Sequence, residues 1–289
     1  MLSARAKGVL AITGSAFGFA LMALFVRLCD DYGTPVSSFQ KGFFRNVVAL
    51  AIAAVAFCRT RGVSGATGKP QARHWGLLVL RSVLGTAGIF ANFYALSHIT
   101  IAEGQTLNKT APFFTVLFAW LFLGEKATRR QLLPLLLAFA GVVLIAKPGF
   151  AGADAFSLAM GLLGGVCAGG AYACVRGLCA DRSVSPSFIV LFFSAFSCLA
   201  SVPFMCHRFD PMTWRQVLIL CGTGAGAALG QFGITLAYGF AAPRDIAVFD
   251  YSNILFTALF GFAFFAQVPD AFSLLGIAAV LVAAVRIFR

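Results

Sequence analysis

The chain has 289 residues, 60% of them hydrophobic and only 11% charged, with mean hydropathy +0.90 and a formal net charge of +12. A soluble domain carries about a quarter charged residues, and a globule of this length could not hide so much apolar surface from water. The same figures exclude a disordered chain, a collagenous fibre and a disulfide scaffold, which leaves lipid as the solvent.

A helix crossing the ~30 Å hydrocarbon core needs about 20 apolar residues. The apolar runs between charged or Gly/Pro-rich breaks give ten candidates: Gly8–Leu28, Val36–Phe57, Trp75–Leu96, Ile101–Leu123, Leu132–Ile145, Ser157–Cys179, Phe188–Cys206, Val217–Phe240, Ile246–Phe265 and Phe272–Phe288. The fifth has a short apolar core and carries Pro134, and the ninth carries Asp250. Ten spans leave only short connections and no room for a soluble domain. Arg5 and Lys7 resemble the start of a signal peptide, but the apolar stretch behind them runs on as a full span, so cleavage is not expected.

The positive charge is distributed as an orientation signal. With the N-terminus in the cytoplasm, 14 of the 22 basic residues fall on the inner side, five on the outer side and three (Arg45, Arg81 and Lys109) within spans. This positive-inside bias places both termini in the cytoplasm and the protein in the cytoplasmic (inner) membrane, with the lipid bilayer as partner and no nucleic acid. Six of the eight cysteines lie within spans or at their ends without metal-ligand spacing and read as small packing residues. Cys29 and Cys206 fall near outer helix ends, where a bridge is geometrically open.

Ten spans invite a search for a five-plus-five repeat. Sliding the second half onto the first by 142 residues sets Gln267 on Glu125 and Gly230 on Gly88. Phe256, Thr257, Leu259, Phe260 and Phe264 then meet Phe114, Thr115, Leu117, Phe118 and Phe122. The expected fold class is an all-α membrane protein of ten transmembrane helices in two inverted five-helix repeats, residues 1–150 and 151–289. An odd number of spans per copy forces the copies to face opposite ways, an architecture that suits alternating access.

The run from Gln105 through Pro112 to Gly124-Glu125 resembles the fourth helix of the EamA family, in the drug/metabolite transporter superfamily. Leu80–Gly85 with Phe93–Leu96 is similar to its third helix, and Gly141–Pro148 to the end of its fifth. The second half departs from the pattern, with Ile254 where the proline would fall and Gln267 where the glutamate would fall. The resemblance implies a ten-helix carrier whose cavity is lined by helices 1, 3, 4, 6, 8 and 9. It leaves amino acids, nucleotide-type metabolites, choline and drugs open as substrates.

Charge at bilayer depth is costly, so each polar side chain there needs a partner or a role. Arg81, Gly85, Gly88 and Asn92 share one helical face, which serves either a substrate groove or tight helix packing, and Arg81 could instead snorkel to headgroups. Gln105, Asn108 and Lys109 precede Pro112, whose missing N–H opens the helix near residue 108. Lys109 either takes a carboxylate or phosphate there or reaches outward to the interface. The ninth span answers with Asp250 and Asn253; Asp250 is read as a coupling or gating acid, the alternative being a structural ion pair. A direct Lys109–Asp250 bridge is not expected, because inverted copies should carry the two toward opposite faces. Gln231 and Tyr238 share a stripe on the eighth span, and Phe17 and Tyr172 are aromatic candidates on the first and sixth. The glycine run Gly222 to Gly233 argues for close backbone approach or a flexible gate.

Enzyme chemistry finds little support. His74, His98 and His207 form no metal constellation, and Gly62-Val-Ser64-Gly lies in a basic loop without an activating histidine. No cofactor or metal is expected. The expected function is secondary-active transport of a small polar or amphipathic metabolite, most naturally an amino acid or a derivative such as S-adenosylmethionine, by a monomer or homodimer. The alternative is export of lipophilic or cationic drugs.

Overall fold

The computed structural model describes residues 3–34, 36–61, 72–99, 101–146, 154–180, 184–207, 209–266 and 270–286. The helices are α1 Ala4–Asp31, α2 Ser38–Arg61, α3 Ala72–His98, α4 Ile101–Asn108, α5 Ala111–Leu123, α6 Arg129–Ala146, α7 Ala155–Cys179, α8 Pro186–His207, α9 Trp214–Phe240, α10 Pro243–Ile246, α11 Ser252–Phe265 and α12 Ala271–Arg286. A 3-10 turn over Ala247–Tyr251 joins α10 to α11, so α4 with α5 and α10 with α11 each make one broken crossing. Every regular element among the described residues is helical, as a span in lipid requires, because a helix satisfies its own backbone. Nine crossings among those residues are long and apolar enough to span a bilayer, and α12 is a shorter apolar helix of 16 residues. Outward faces carry large apolar side chains, with Phe122 77% exposed and Leu199 74% exposed. All three tryptophans, Trp75, Trp120 and Trp214, stand near helix ends, the depth of the aromatic belt.

Side-chain caps fix where helices begin. Ser3 accepts from the Ala6 amide, Asp154 from the Ser157 amide at 2.9 Å, and Asp270 from the Ser273 amide. Thr213 and Gln216 form a reciprocal capping box at α9. Pro134 sits in the second turn of α6, and the fifth crossing stays one continuous helix around it.

The 142-residue shift holds for backbone boundaries as well as side chains. It carries both ends of α3 onto both ends of α9, the end of α5 onto the end of α11, and the start of α6 onto the start of α12. It also carries Gly124 onto Ala266, and both are left-handed C-caps, with φ 71° and 53°. Packing obeys the same exchange of halves. The first crossing packs along the eighth as the third packs along the sixth; the fourth meets the sixth as the ninth meets the first; the second–seventh and fifth–tenth pairs map onto themselves.

Glycines set the close approaches. A β-carbon at Gly18 would lie 2.6 Å from the Gly230 amide nitrogen, and one at Gly141 2.6 Å from the Gly276 carbonyl oxygen. The eighth-span glycines thus serve helix contact: Gly226, Gly230 and Gly233 face α1, and Gly224 faces Val48 and the Arg45 backbone. The main buried cluster, including Leu78, Val175, Leu178, Ile234, Tyr238, Ile246 and Phe249, lies toward the helix ends that share a side with the N-terminus. A small cluster of Cys29, Val36 and Leu220 lies toward the other end. No disulfide joins Cys29, which is buried, to Cys206, which is exposed; both are thiols.

Candidate functional site

The fourth crossing breaks where proline removes a donor. Pro112 cannot bond the Asn108 carbonyl, Thr110 turns its amide and its hydroxyl back to the Leu107 carbonyl at 3.1 and 2.6 Å, and Phe113 bonds Thr110 instead of Lys109. The ninth crossing breaks at the repeat-related place without a proline. Ser252, the mate of Thr110 under the shift, donates to the Phe249 carbonyl at 2.6 Å, and Phe249 is the mate of Leu107. The Lys109 carbonyl, released from its helix, accepts the Tyr251 hydroxyl at 3.1 Å.

At this junction Lys109 Nζ lies 3.7 Å from Asp250 Oδ2, each side chain 12% exposed. The expectation that inversion would keep these two apart is therefore corrected. Lys109 maps onto Tyr251 and Asn108 onto Asp250, so both breaks lie at the level where the inverted halves cross, and inversion brings residues at that level together. Asp250 is buried in the 3-10 turn, and Asn108 and Lys109 are half-buried at the mouth of their break.

A second group of polar side chains lies between α3, α7, α8 and α9. Arg81 donates to Gln231 Oε1 at 2.7 Å, and its guanidinium carbon stands 3.7 Å from the centre of the Phe193 ring. With 2% exposure, Arg81 points inward and does not snorkel. Gly85, one turn on, leaves the guanidinium its space: a β-carbon there would collide with Arg81 Nη1 and stand 2.7 Å from Phe193 Cε2. The rest of that face packs on α7, since a β-carbon at Gly88 would lie 3.2 Å from the Gly164 carbonyl and one at Gly164 3.3 Å from Asn92 Cβ. The Tyr172 and Tyr238 rings are 6.0 Å apart, and Tyr172 is within electrostatic reach of Asp250, Arg81 and Arg45.

The remaining candidates scatter around this centre. Phe17 packs edge-on against Phe256 with ring centres 5.3 Å apart, 36% exposed. Asn253 donates to the Ala16 carbonyl at 2.9 Å and so ties α11 to α1. Gln105 lies on α4, and its side chain falls outside the described residues, as do Gln267 and the Gly62–Gly65 run. Among the described residues no three His, Cys, Asp or Glu side chains gather as a metal site.

Sequence reasoning missed a bolt at the termini side. Arg176 Nε donates to Glu125 Oε1 at 2.7 Å and Arg176 Nη1 to the Tyr238 carbonyl at 2.9 Å. Arg244 donates to the Lys126 carbonyl at 2.8 Å, and Gln131 to Asp245 Oδ1 at 2.8 Å. Together these join the turn after α5 and the start of α6 to α7, α9 and α10. The signal was present in the Gly124-Glu125 dipeptide, which places an acid beside a helix end, but nothing in the sequence paired it with Arg176.

The EamA-like transporter family matches residues 6–147. The pseudopaline exporter CntI of Pseudomonas aeruginosa is 30% identical over 285 residues, covering 98% of this chain and 96% of its own. The chain belongs to the EamA-like transporter family. A riboflavin transporter of Brucella anthropi is 30% identical over 247 residues, 82% of this chain and 83% of that one. A crystal structure superposes with TM-score 0.74 at 19% identity over 94% of this chain and 95% of its own, a likeness of fold. This EamA-like protein is thus a multi-pass membrane protein with a transporter role, for which the family implies a small-molecule substrate and a lipid surround.

Proposed function

We propose that the chain is a secondary-active carrier of a small polar or amphipathic metabolite, an amino acid or amino-acid derivative, working by alternating access. One observation carries this reading: two crossings break part-way along their length at repeat-related positions and meet at the Lys109–Asp250 pair, near a group made by Arg81, Gln231, Tyr172 and Tyr238. Broken helices expose unpaired backbone and charge only where a cavity or a partner receives them. Lys109 and Arg81 offer donors to a carboxylate, Asp250 offers an acceptor to an ammonium group, and the tyrosines offer an apolar wall. Asp250 acts as the coupling acid, exchanging its Lys109 partner for substrate or a proton, while Pro112 and the paired turn at Ser252 let the two crossings flex. The units that rock are the halves 1–150 and 151–289, in the cytoplasmic membrane with both termini in the cytoplasm, as a monomer or homodimer. The chain is a carrier and not an enzyme.

A thermal-shift screen of the purified protein against metabolites tests the substrate class, because a ligand that binds only the folded carrier raises its melting temperature. Amino-acid-like hits with saturable counterflow in liposomes are expected. Stabilisation by hydrophobic cations alone would turn the reading into that of a drug exporter. Asp250→Asn separates the same two readings, since an amino-acid carrier retains uncoupled exchange whereas a cation exporter loses transport. No saturable flux with any solute in the screen would end the carrier assignment.

A further inference from the structure

Two guanidinium groups stand inside the bundle with no acid paired to them among the described residues. Arg45 on α2 is 8% exposed and Arg81 on α3 is 2% exposed. Both pack on α9, Arg45 through its backbone at Gly224 and Arg81 through its bond to Gln231 two turns further on, and both are within electrostatic reach of Tyr172. Among the described residues Arg81 donates to the neutral amide of Gln231 and lies on the face of Phe193, and the enclosed Nε groups of both arginines make no hydrogen bond there. No acid among the described residues pairs with either; the carboxylates of Asp250 and Glu125 go to Lys109 and Arg176. Helix ends do not compensate them, since Arg45 and Arg81 both lie more than a turn from the ends of their helices and the dipole acts within the terminal turn. Ser82 and Ser194, chain neighbours of Arg81 and Phe193, also bury hydroxyls without a partner.

Like charges held together out of water are unfavourable unless an opposite charge neutralises them. At this depth the described side chains contribute the cations Arg45, Arg81 and Lys109 against the single anion Asp250. We propose that Arg45 and Arg81 form the seat for the anionic end of the solute, and that this end is a dianionic oxyanion: two carboxylates on one small molecule or one phosphate monoester. Guanidinium forks match both groups bidentately, and Gly85 preserves the space one fork occupies. The inference deepens the carrier reading and rests on it for the ligand being cargo. Within that reading it selects solutes with a second acidic group over simple zwitterions.

The test uses the full-length protein in detergent and in liposomes, with succinate, glycerol phosphate, leucine and choline as probes against chloride of matched ionic strength. Succinate or glycerol phosphate is expected to raise the melting temperature with half-saturation about tenfold below that of leucine; which of the two does so decides between paired carboxylates and phosphate. Arg45→Gln and Arg81→Gln should each weaken that response about tenfold or more. Their ligand-free forms should melt at or above the native temperature, because a buried charge without a partner has been removed. Variants that melt lower yet keep the dianion response would make the arginines structural and overturn the seat. Should a Gln variant fail to fold, the Lys variant at the same position, which keeps the charge without the fork, is expected to weaken the response partially; an unchanged response would overturn the proposal. Counterflow of leucine or choline with no dianion response removes the seat and leaves the carrier standing. Dianion binding without counterflow keeps the seat and removes the carrier, and a protein that neither binds nor transports any probe loses both.

Discussion

Lys109 and Asp250 hold opposite charges where water is scarce, so neither can be neutralised alone without stranding the other. Lys109→Met and Asp250→Leu should each cost about 1–3 kcal/mol, the low end reflecting their partial exposure and 3.7 Å separation. The double variant should be more stable than the worse single one; additive losses in a thermal-unfolding cycle would show that the pair is not coupled. Ala266 makes a different prediction. It occupies a left-handed cap at φ 53° where its repeat mate is Gly124, and a β-carbon there is strained. Ala266→Gly should therefore stabilise by up to about 1 kcal/mol, and Gly124→Ala should destabilise by a similar amount. At this scale the sequence already marked Lys109, Asp250, Arg81 and Gln231 as polar residues needing partners. Their pairings were hidden, because a partner across the bundle depends on where two helices break, and no linear spacing encodes that. Arg45 was legible only as a base within a span.

Elements were more readable than pairings. Apolar length marked nine crossings that are long enough to span, since a span is a local requirement of ~20 residues, while the tenth, α12, is a shorter apolar helix of 16 residues. Proline announced the break in the fourth crossing. The matching break in the ninth was concealed because Ile254 stands where proline would, and its work falls to the Ser252 hydroxyl and a 3-10 turn. Thr110 and Ser252 occupying one repeat position was the available clue. Pro112→Ala restores the N–H that Asn108 lacks and should straighten the fourth crossing. It is expected to slow counterflow about tenfold while leaving the protein folded; undiminished flux would mean the break is not used. Two glycines separate helix propensity from contact. Gly14→Ala meets nothing within 4 Å and should gain up to about 1 kcal/mol. Gly169→Ala would bring a β-carbon 2.9 Å from the Ala111 carbonyl oxygen, backbone that cannot yield cheaply, and should lose about 1–3 kcal/mol despite the same propensity gain. Equal melting shifts for the two would refute the packing argument.

At the scale of the whole molecule, the bundle is fastened toward its termini. Glu125, Arg176, Arg244 and Gln131 bind elements of both halves there, above a buried cluster that includes Tyr238, Ile246 and Phe249. Glu125→Gln keeps the size and weakens the bond to Arg176; it should lower stability by about 1–2 kcal/mol. Labelling of Tyr238→Cys by a membrane-impermeant thiol reagent added on the termini side should be slow in the parent and faster once Glu125→Gln is combined with it. The composition revealed the lipid surround and the shift of 142 residues revealed the inversion, because both are repeated statistics. The ion pair within the fastening was not legible, since its acid has no counterpart: the repeat places Gln267 where Glu125 would recur. On the alternating-access reading proposed above, the Glu125–Arg176 clasp has to open whenever the termini face does, while the opposite face is joined through Asp210 and Gln216 by hydrogen bonds to Ser37, Gln40, Cys29 and Thr34. A carrier of that kind is expected to rest with the clasped face shut, because an ion pair costs more to part than hydrogen bonds with a neutral partner. Cargo from the far compartment finds a vacant berth, whereas cargo from the near one waits for the clasp to slip, so the two directions of travel should show different half-saturation constants even when net flow is zero.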